Sequence, residues 1–321
     1  MVALLVVGAA LAACTDRPDP EAGPAPDGSA AVTMPPDLDV PEGMVYVPGG
    51  ATQVGVLAGE GGMPHERPAF TADVPPFLLD RSPVTVARFR AFVEATGHET
   101  QAEAFGDGAV MDQATGQWTL VPEADWRRPR GPAGPEAPDD HPVTQVAWTD
   151  AEAFCTWDGA RSGTSARLPT EVEWEHAARG GTDDRSPYAW GDRLDEGGTL
   201  RANTWTGTFP AGDDGADGYV DGTSPVGAFG PTPLGLTDLG GNVWEWTASW
   251  YRPYPLGPDG GTGAGAPLGP TGAPERVQRG GSFLCHPSYC HGFRVSARSH
   301  ATPESAFAHV GFRCARDLPA G

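Results

Sequence analysis

Glycine and proline interrupt every apolar run of this chain before it grows long, and no other feature limits the fold as strongly. Together, 45 Gly and 34 Pro make about a quarter of the 321 residues. Such a chain turns often and has little room for long regular elements. The runs that remain are short but well marked. MVYVPGG (44–50) alternates apolar residues and then turns, which predicts a strand entering a tight turn. Residues 74–98 predict a strand and then a helix, with Phe89, Phe92 and Val93 at helical spacing and Gly97 at the C-terminal cap. Thr149 with Glu152, and Thr170 with Glu173, each match a capping box, so two further helices are expected to start there. The second runs through EVEWEHAAR and stops at Gly180-Gly181. Residues 180–250 read as loop rich in Gly, Asp and Trp, and 253–274 as a mobile surface loop.

Ten Trp, twelve Phe and a hydrophobic content of 39% are enough to build a core. The expectation is a single α+β domain over residues 43–317, low in regular structure and held by long ordered loops. Ordering a loop residue costs about 1–2 kcal/mol of conformational entropy, and disulfides and bound cations are the usual means of offsetting it. The formal charge is −21, and all 21 basic residues are Arg. That balance repels nucleic acid and anionic lipid headgroups, so neither is an expected partner.

Residues 1–14, MVALLVVGAALAAC, read as an export signal, and Leu11-Ala12-Ala13-Cys14 matches the pattern of a bacterial lipoprotein. Residues 1–13 are then the signal peptide and Cys14 the lipidated residue. The apolar run is shorter than the roughly 20 residues that span a bilayer. Residues 15–42 hold seven Pro and seven acidic residues against one Arg, a composition that forms no core and reads as a tether. The expected location is outside the cell, anchored to the outer face of the cytoplasmic membrane, with the membrane met only through the lipid.

With Cys14 lipidated, Cys155, Cys285, Cys290 and Cys314 remain, which allow three pairings. Cys285 and Cys290 stand five apart in GGSFLCHPSYC (280–290). Two thiols without further Cys or His at zinc spacing do not suit a tetrahedral zinc site. They suit a hairpin disulfide in an oxidising compartment, or a two-coordinate copper(I) or redox pair, since copper(I) prefers soft sulfur. Chemistry alone leaves both readings open.

RVQRGGSFLCHPSYCHGFRVSARSHATPESAFAHVGFRCARD (276–317) resembles the C-terminal segment of the formylglycine-generating enzymes, the sulfatase-modifying factor family. MVYVPGGATQVG, SPVTVARFRAFVEATGH, HPVTQVAWTDAEAFCTWDGA, RLPTEVEWEHAARGG, YAWGD and GGNVWEWTASWY resemble further blocks of that family in the same order. The resemblance covers about residues 43–317, and the C-x-x-x-x-C after Gly-Gly-Ser marks the catalytic subgroup. It implies a C-type-lectin-like fold and a copper-dependent oxidase. The implied reaction converts the cysteine of a C-x-P-x-R motif, in an unfolded sulfatase segment, to Cα-formylglycine with molecular oxygen. A monomer is expected.

By the same resemblance, Cys285 and Cys290 hold Cu(I) and form a disulfide when metal is absent. Ser282 and Trp244 border the oxygen pocket, while Tyr289 and His286 lie on the same segment without an expected acid or base role. The bland alternative for Trp244 is a core aromatic. Cys155 and Cys314 match the family's structural bridge, and the positions of a second bridge fall on Ala178 and Val295. Two loop clusters resemble calcium sites. In the first, Asn203 and Asp217 offer side chains and Thr204 and Tyr219 offer carbonyls. In the second, Asp238 and Glu245 offer side chains and Gly241 and Val243 offer carbonyls. Calcium takes six to eight such oxygens. His309 departs from the usual Asn beside the substrate groove, and RSGTSA (161–166) is an insertion before RLPTE. Two other classes compete. A non-catalytic, membrane-tethered binding module on the same fold is disfavoured by the presence of both Cys285 and Cys290. A sulfoxide synthase with iron needs a His-rich helical domain that this sequence lacks.

Overall fold

The structure is a computed structural model that describes residues 34–112, 115–263 and 269–318. The expected signal peptide, Cys14 and most of the tether lie outside the described residues. Among the described residues, no helix is long and apolar enough to cross a membrane.

The first described strand and the last meet in one sheet. Strand β1 (Met44–Val47) pairs antiparallel with β4 (Phe77–Asp80), and β15 (Ala315–Asp317) joins the other edge of β4. Between them, β2 (Gly50–Val54) and β3 (Phe70–Val74) form a two-stranded ladder. Helix α1 (Val86–Thr96) starts where Thr85 Oγ1 accepts from the Arg88 N–H, and it ends at Gly97 with φ +68°. Phe89 and Phe92 carry its buried face. The helical spacing and the glycine cap of residues 74–98 are thus realised as expected.

Helix α2 (Gln101–Phe105) and the hairpin of β5 (Asp107–Asp112) and β6 (Gln117–Pro122) follow. Helix α3 (Trp148–Arg161) starts two residues before the expected Thr149–Glu152 box would allow. The buried carboxylate of Asp150 takes over the cap, accepting from the Ala147 N–H at 2.9 Å and reaching Gln101 N as well. One acid thereby ties the start of α3 to the start of α2. The RSGTSA insertion supplies the last residue of α3 and its C-terminal turn, with Ser162 at the cap. Helix α4 (Glu171–Ala178) begins at the expected box, with Thr170 and Glu173 bonded reciprocally.

Residues 180–250 are mostly loop as expected, carrying only the two-residue pairs β7 (Asp195–Glu196) with β8 (Thr199–Leu200) and β9 (Gly207–Thr208) with β10 (Gly212–Asp213). The expectation fails at their end. Trp244–Trp250 is strand β11, and it lies in a four-stranded sheet ordered β13 (Arg298–Ala301), β12 (Arg276–Arg279), β11, β14 (Val310–Phe312). Strands β11 and β14 run parallel, the other pairs antiparallel. Burial of both faces of β11 removes the apolar–polar alternation that signals a strand. Nor is the segment after Pro253 a loop free of the core: Tyr254 and Leu256 are buried, and the Tyr254 hydroxyl donates to Glu171.

All eight residues of α4 are buried, three glutamates among them. Arginines from distant segments make this tolerable. Arg279 of β12 bonds Glu171 and Glu175, Arg298 of β13 bonds Glu171, and Arg179 bonds Glu175. Arg294 with Glu66 and Arg313 with Glu245 repeat the arrangement elsewhere. A buried charge left without such a partner is expensive, so these pairs lock sheet, helix and loops in one register. A disulfide joins Cys155 of α3 to Cys314, which follows β14, inside the core cluster of Phe89, Phe154 and Phe312. Ala178 and Val295 both sit in the second apolar cluster, where methyl groups fill the space.

Candidate active site

The GGSFLCHPSYC segment leaves β12 through two glycines and folds back on itself. A Cβ on Gly281, where φ is +74°, would fall 2.6 Å from the backbone of Gly292 and Phe293. A Cβ on Gly292 would fall 2.5 Å from the Trp244 ring and 2.9 Å from Cys285 Sγ. Only bare backbone at these two points lets the loop close and lets the indole and the sulfur rest against it. Within the loop the Cys285 N–H donates to Ser282 O at 2.9 Å, and the Tyr289 and Cys290 N–H groups donate to His286 O. These turns bring Cys290 back over Cys285 with a Cα–Cα distance of 5.4 Å, and the two form a disulfide.

The pair opens on a cavity of about 260 Å³. Trp244, first residue of β11, and the fully buried Ser282 line it beside the cysteines. The Trp244 N–H donates to His309 O at 2.9 Å, which seats the strand entering β14 against the cavity floor. The Ser282 hydroxyl accepts from the Leu284 N–H at 3.3 Å. Trp118 of the β5–β6 hairpin packs on His309 and Phe307, with ring centroids 4.7 and 5.4 Å apart. Tyr289 is 61% exposed and stacks on Phe209 at the rim. His286 is turned to Ser288 Oγ in its own turn, away from any acid–base partner in the cavity.

Trp118, Phe307 and Gln278 also reach the cavity, and sequence reasoning had not named them. No local pattern could have done so, because each comes from a different element. Burial pushes the His309 imidazole down to about 3. It is neutral at any working pH and is therefore a hydrogen-bonding group, a poor proton acceptor.

The donor chemistry of Cys285 and Cys290 fits copper(I): two soft sulfurs in one turn, facing a cavity with no carboxylate in its lining. As the disulfide they cannot ligate, so reduction must precede metal binding. Among the described residues, no group of three or more His, Cys, Asp or Glu is gathered for a metal. In the first expected calcium loop the Asn203 and Asp217 side chains bond to backbone groups. Asp217 accepts from the Thr204 and Tyr219 N–H groups at 2.8 and 2.9 Å, and Asn203 donates to Gly222 O. Burial raises the Asp217 carboxyl, against those backbone bonds, with Asp213 adding to the rise. A cation would relieve that strain on the charged form.

The second set does not fit a cation in this conformation. Both Glu245 oxygens accept from Arg313 at 2.7 Å, and Oε2 also accepts from Trp174 Nε1 at 2.8 Å. Asp238 is occupied by Gly227 N, Thr237 Oγ1 and Asn242 Nδ2.

The family model of the sulfatase-modifying factor enzyme 1-like domain matches residues 30–318. This chain belongs to that family. Within the family it is 44% identical to the formylglycine-generating enzyme of Thermomonospora curvata, over 88% of this chain and 98% of that one. It is 40% identical to the formylglycine-generating enzyme of Mus musculus, over 85% of this chain and 75% of that one. The mouse inactive Cα-formylglycine-generating enzyme 2 is as similar, 41% over 85% of each chain. Among solved structures, PvdO from Pseudomonas aeruginosa superposes with a TM-score of 0.63 at 27% identity, covering 86% of this chain and 94% of that one. CarF, at 24% identity and a TM-score of 0.54 over 87% of this chain and 99% of that one, shares the fold. The family's mixed α and β fold with extensive loops is the one described above.

Proposed function

We propose that this chain is a formylglycine-generating oxidase, acting on a cysteine in an extended segment of a sulfatase-like polypeptide. The observation that carries the reading is the Cys285–Cys290 pair opening on a cavity walled by Trp244 and Ser282. Overall identity does not separate active from inactive relatives, since both kinds match equally well. The cysteine pair favours the active kind.

In the proposed reaction a C–H and the C–S bond of the substrate Cβ are broken and an aldehyde forms. The sulfur leaves as hydrogen sulfide, and one oxygen atom ends in the aldehyde and the other in water. The balance needs two further electrons and two protons, which a thiol reductant supplies. Copper(I) bound by the Cys285 and Cys290 thiolates would supply the one-electron chemistry that lets dioxygen react. The chain's own residues do the rest. Trp244, resting on Gly292, and the aromatic pair Trp118 and Phe307 keep the cavity apolar. Ser282, with its oxygen already accepting from Leu284, is left to donate its hydroxyl proton to a bound group. The first loop, with Asn203, Thr204, Asp217 and Tyr219, is proposed to hold calcium as a structural ion.

The test is incubation of the reduced, copper-loaded protein with oxygen, a thiol reductant and a C-x-P-x-R peptide, read by mass spectrometry for the aldehyde. Cys285→Ser and Cys290→Ser should each abolish both stoichiometric Cu(I) binding and product. Full turnover by either variant would refute the assignment. The lipoprotein reading is a separate proposal resting on residues 1–42. Wild type should fractionate with membranes and carry diacylglycerol on Cys14, and Cys14→Ala should lose both. A cytosolic, unprocessed wild type would overturn it and leave the cavity chemistry standing.

A further inference from the structure

A second cavity, of about 850 Å³, lies between β3, the first turns of α3 and α4, and the loop that starts at Leu256. It shares no lining residue with the cysteine cavity, and its size is within the range of about 300–1,000 Å³ that small ligands occupy. Arg276, first residue of β12, reaches this cavity and is only 9% exposed. Its guanidinium is stacked between two indoles, with Cζ 3.7 Å from the Trp148 ring centre and 3.5 Å from that of Trp250. Both rings are held in place: Trp250 faces Arg276 across the β11–β12 ladder, and Trp148 Nε1 donates to Thr247 O at 2.8 Å. The planar head is therefore pinned on both faces, and only its edge is left to bond.

That edge is underused. Nη1 donates to Ala248 O, while Nε and Nη2 have no partner among the described residues. Unpartnered Nε atoms also occur at Arg279, Arg298 and Arg316, but each of those arginines bonds a carboxylate through its Nη atoms. Arg179, Arg294 and Arg313 are paired as well, so among the described buried arginines Arg276 alone has no carboxylate within ion-pair range. Burial pulls its guanidinium down to about 10, against the attraction of Glu152, and leaves it charged at neutral pH. The indole faces stabilise that charge by about 0.5–2 kcal/mol each but offer it no acceptor. A cation held in this way at the wall of a cavity is an anchor for an anionic group.

The rest of the lining says what else such a ligand must carry. Arg167 neutralises Glu173, but Glu152, Asp73 and Asp259 also reach the cavity without an ion-pair partner among the described residues. Three carboxylates around one unpaired cation repel a simple anion such as phosphate. A molecule with a carboxylate and a cationic nitrogen satisfies both signs, and Val172 and Leu256 provide apolar wall for an aliphatic stem between them. We propose that this cavity binds a zwitterion of the basic amino-acid type, with its carboxylate on the Arg276 edge and its cationic nitrogen toward Glu152, Asp73 and Asp259. The site is independent of the cysteine pair and of the oxidase reading. Two sources carry this chemistry, a free basic amino acid and the carboxyl terminus of a peptide that ends in one.

The experiment is calorimetric titration of the full-length protein with four probes: free lysine, an N-acetylated dipeptide ending in lysine, its carboxamide, and the counterpart ending in norleucine. Free lysine or the lysine dipeptide should bind saturably, and which of them binds identifies the source. For the dipeptide, the carboxamide should bind at least about tenfold more weakly, since it loses a bond between charged groups. The norleucine counterpart, which keeps the stem and lacks the cation, should bind about twofold to fivefold more weakly. Arg276→Met keeps an unbranched stem between the indoles and removes the donors, so it should lose at least about tenfold in affinity. Glu152→Gln, at an exposed position of α3, should lose about twofold to fivefold. Added salt should weaken binding throughout.

No saturable binding of either lysine probe to wild type at up to about 10 mM would overturn the site and leave Arg276 as a spacer between two tryptophans. Binding that is unchanged in Arg276→Met would overturn it as well. A norleucine dipeptide that binds as tightly as the lysine one would remove the cationic half of the ligand and with it the proposal. If Arg276→Met fails to fold, the carboxamide and Glu152→Gln decide on their own. None of the probes carries a cysteine, so these outcomes do not depend on turnover at Cys285 and Cys290.

Discussion

Glu245→Gln decides whether Glu245 serves an ion pair or a cation. The carboxylate is fully buried and meets Arg313 through two bonds of 2.7 Å, with Trp174 Nε1 as a third donor. The other Arg313 bonds go to the carbonyls of Asp80, Arg81 and Thr237, none of which carries charge. The substitution keeps shape and removes the counter-charge, leaving a guanidinium buried among neutral dipoles. Removing one partner of such a pair costs about 3–5 kcal/mol. In a domain of this size 1 kcal/mol moves the melting temperature by roughly 2 °C, so the transition should drop by about 6–10 °C. The drop should be the same in excess chelator and in millimolar calcium. Adding Arg313→Met should restore much of it, because two neutral groups then share the space. Scanning fluorimetry of wild type and both variants, with and without chelator, is the assay. If Glu245→Gln and wild type melt together in chelator, the ion-pair account is wrong and a cation at Glu245 becomes the better reading.

Three further outcomes follow from the geometry. Replacing Cys155 and Cys314 together by Ala should lower the unfolding free energy by about 5 kcal/mol, since the bridge spans 159 residues; a denaturant titration showing less than about 1 kcal/mol would contradict this. Calcium added back to chelated wild type should raise its melting temperature by mass action, and Asp217→Ala should blunt the response; equal responses would remove the cation from the Asn203–Asp217 loop. Burial favours the neutral Glu175 carboxyl, but Arg179 and Arg279 together outweigh it and hold the group below its ordinary range. Its contribution is complete above the unfolded value of about 4.3 and is lost as pH falls through the lower folded value, so wild type should lose stability more steeply below pH 4.3 than Glu175→Gln; parallel curves would refute the assignment.

Local signals in the sequence survive where a decision is local. The Thr170–Glu173 box, the Gly97 cap and the β1 strand each depend on a few neighbouring residues, and each is in place. The failures share a different cause. Thr149 lost the start of α3 to Asp150, because that acid also answers Gln101, almost fifty residues upstream. Strand β11 was hidden because β12 and β14 flank it and both of its faces are buried, so no alternation remained to be read. The burial of α4 could not be inferred from EVEWEHAA, which looks like a solvated acidic helix until Arg279 and Arg298 arrive from more than a hundred residues away.

The candidate site divides in the same way, and the division bears on how it can change. Cys285, Cys290 and Ser282 lie on one loop, so their proximity is written into a single motif. The walls are not: Trp244 starts β11, Gln278 is on β12, Trp118 is on β6, and His309 precedes β14. Arg279 and Arg298, anchored on Glu171, hold β12 and β13 in place, while Arg313 on Glu245 ties β11 to the chain just beyond β14. The sheet that carries two of the four wall residues, and that a third immediately precedes, is therefore fixed by ion pairs that do not enter the cavity. Substitution at Gln278, Trp118 or His309 can then reshape what the cavity accepts without disturbing the turn that sets the cysteines. In this fold the cysteine pair is set by one local loop, and the walls around it are set by tertiary structure.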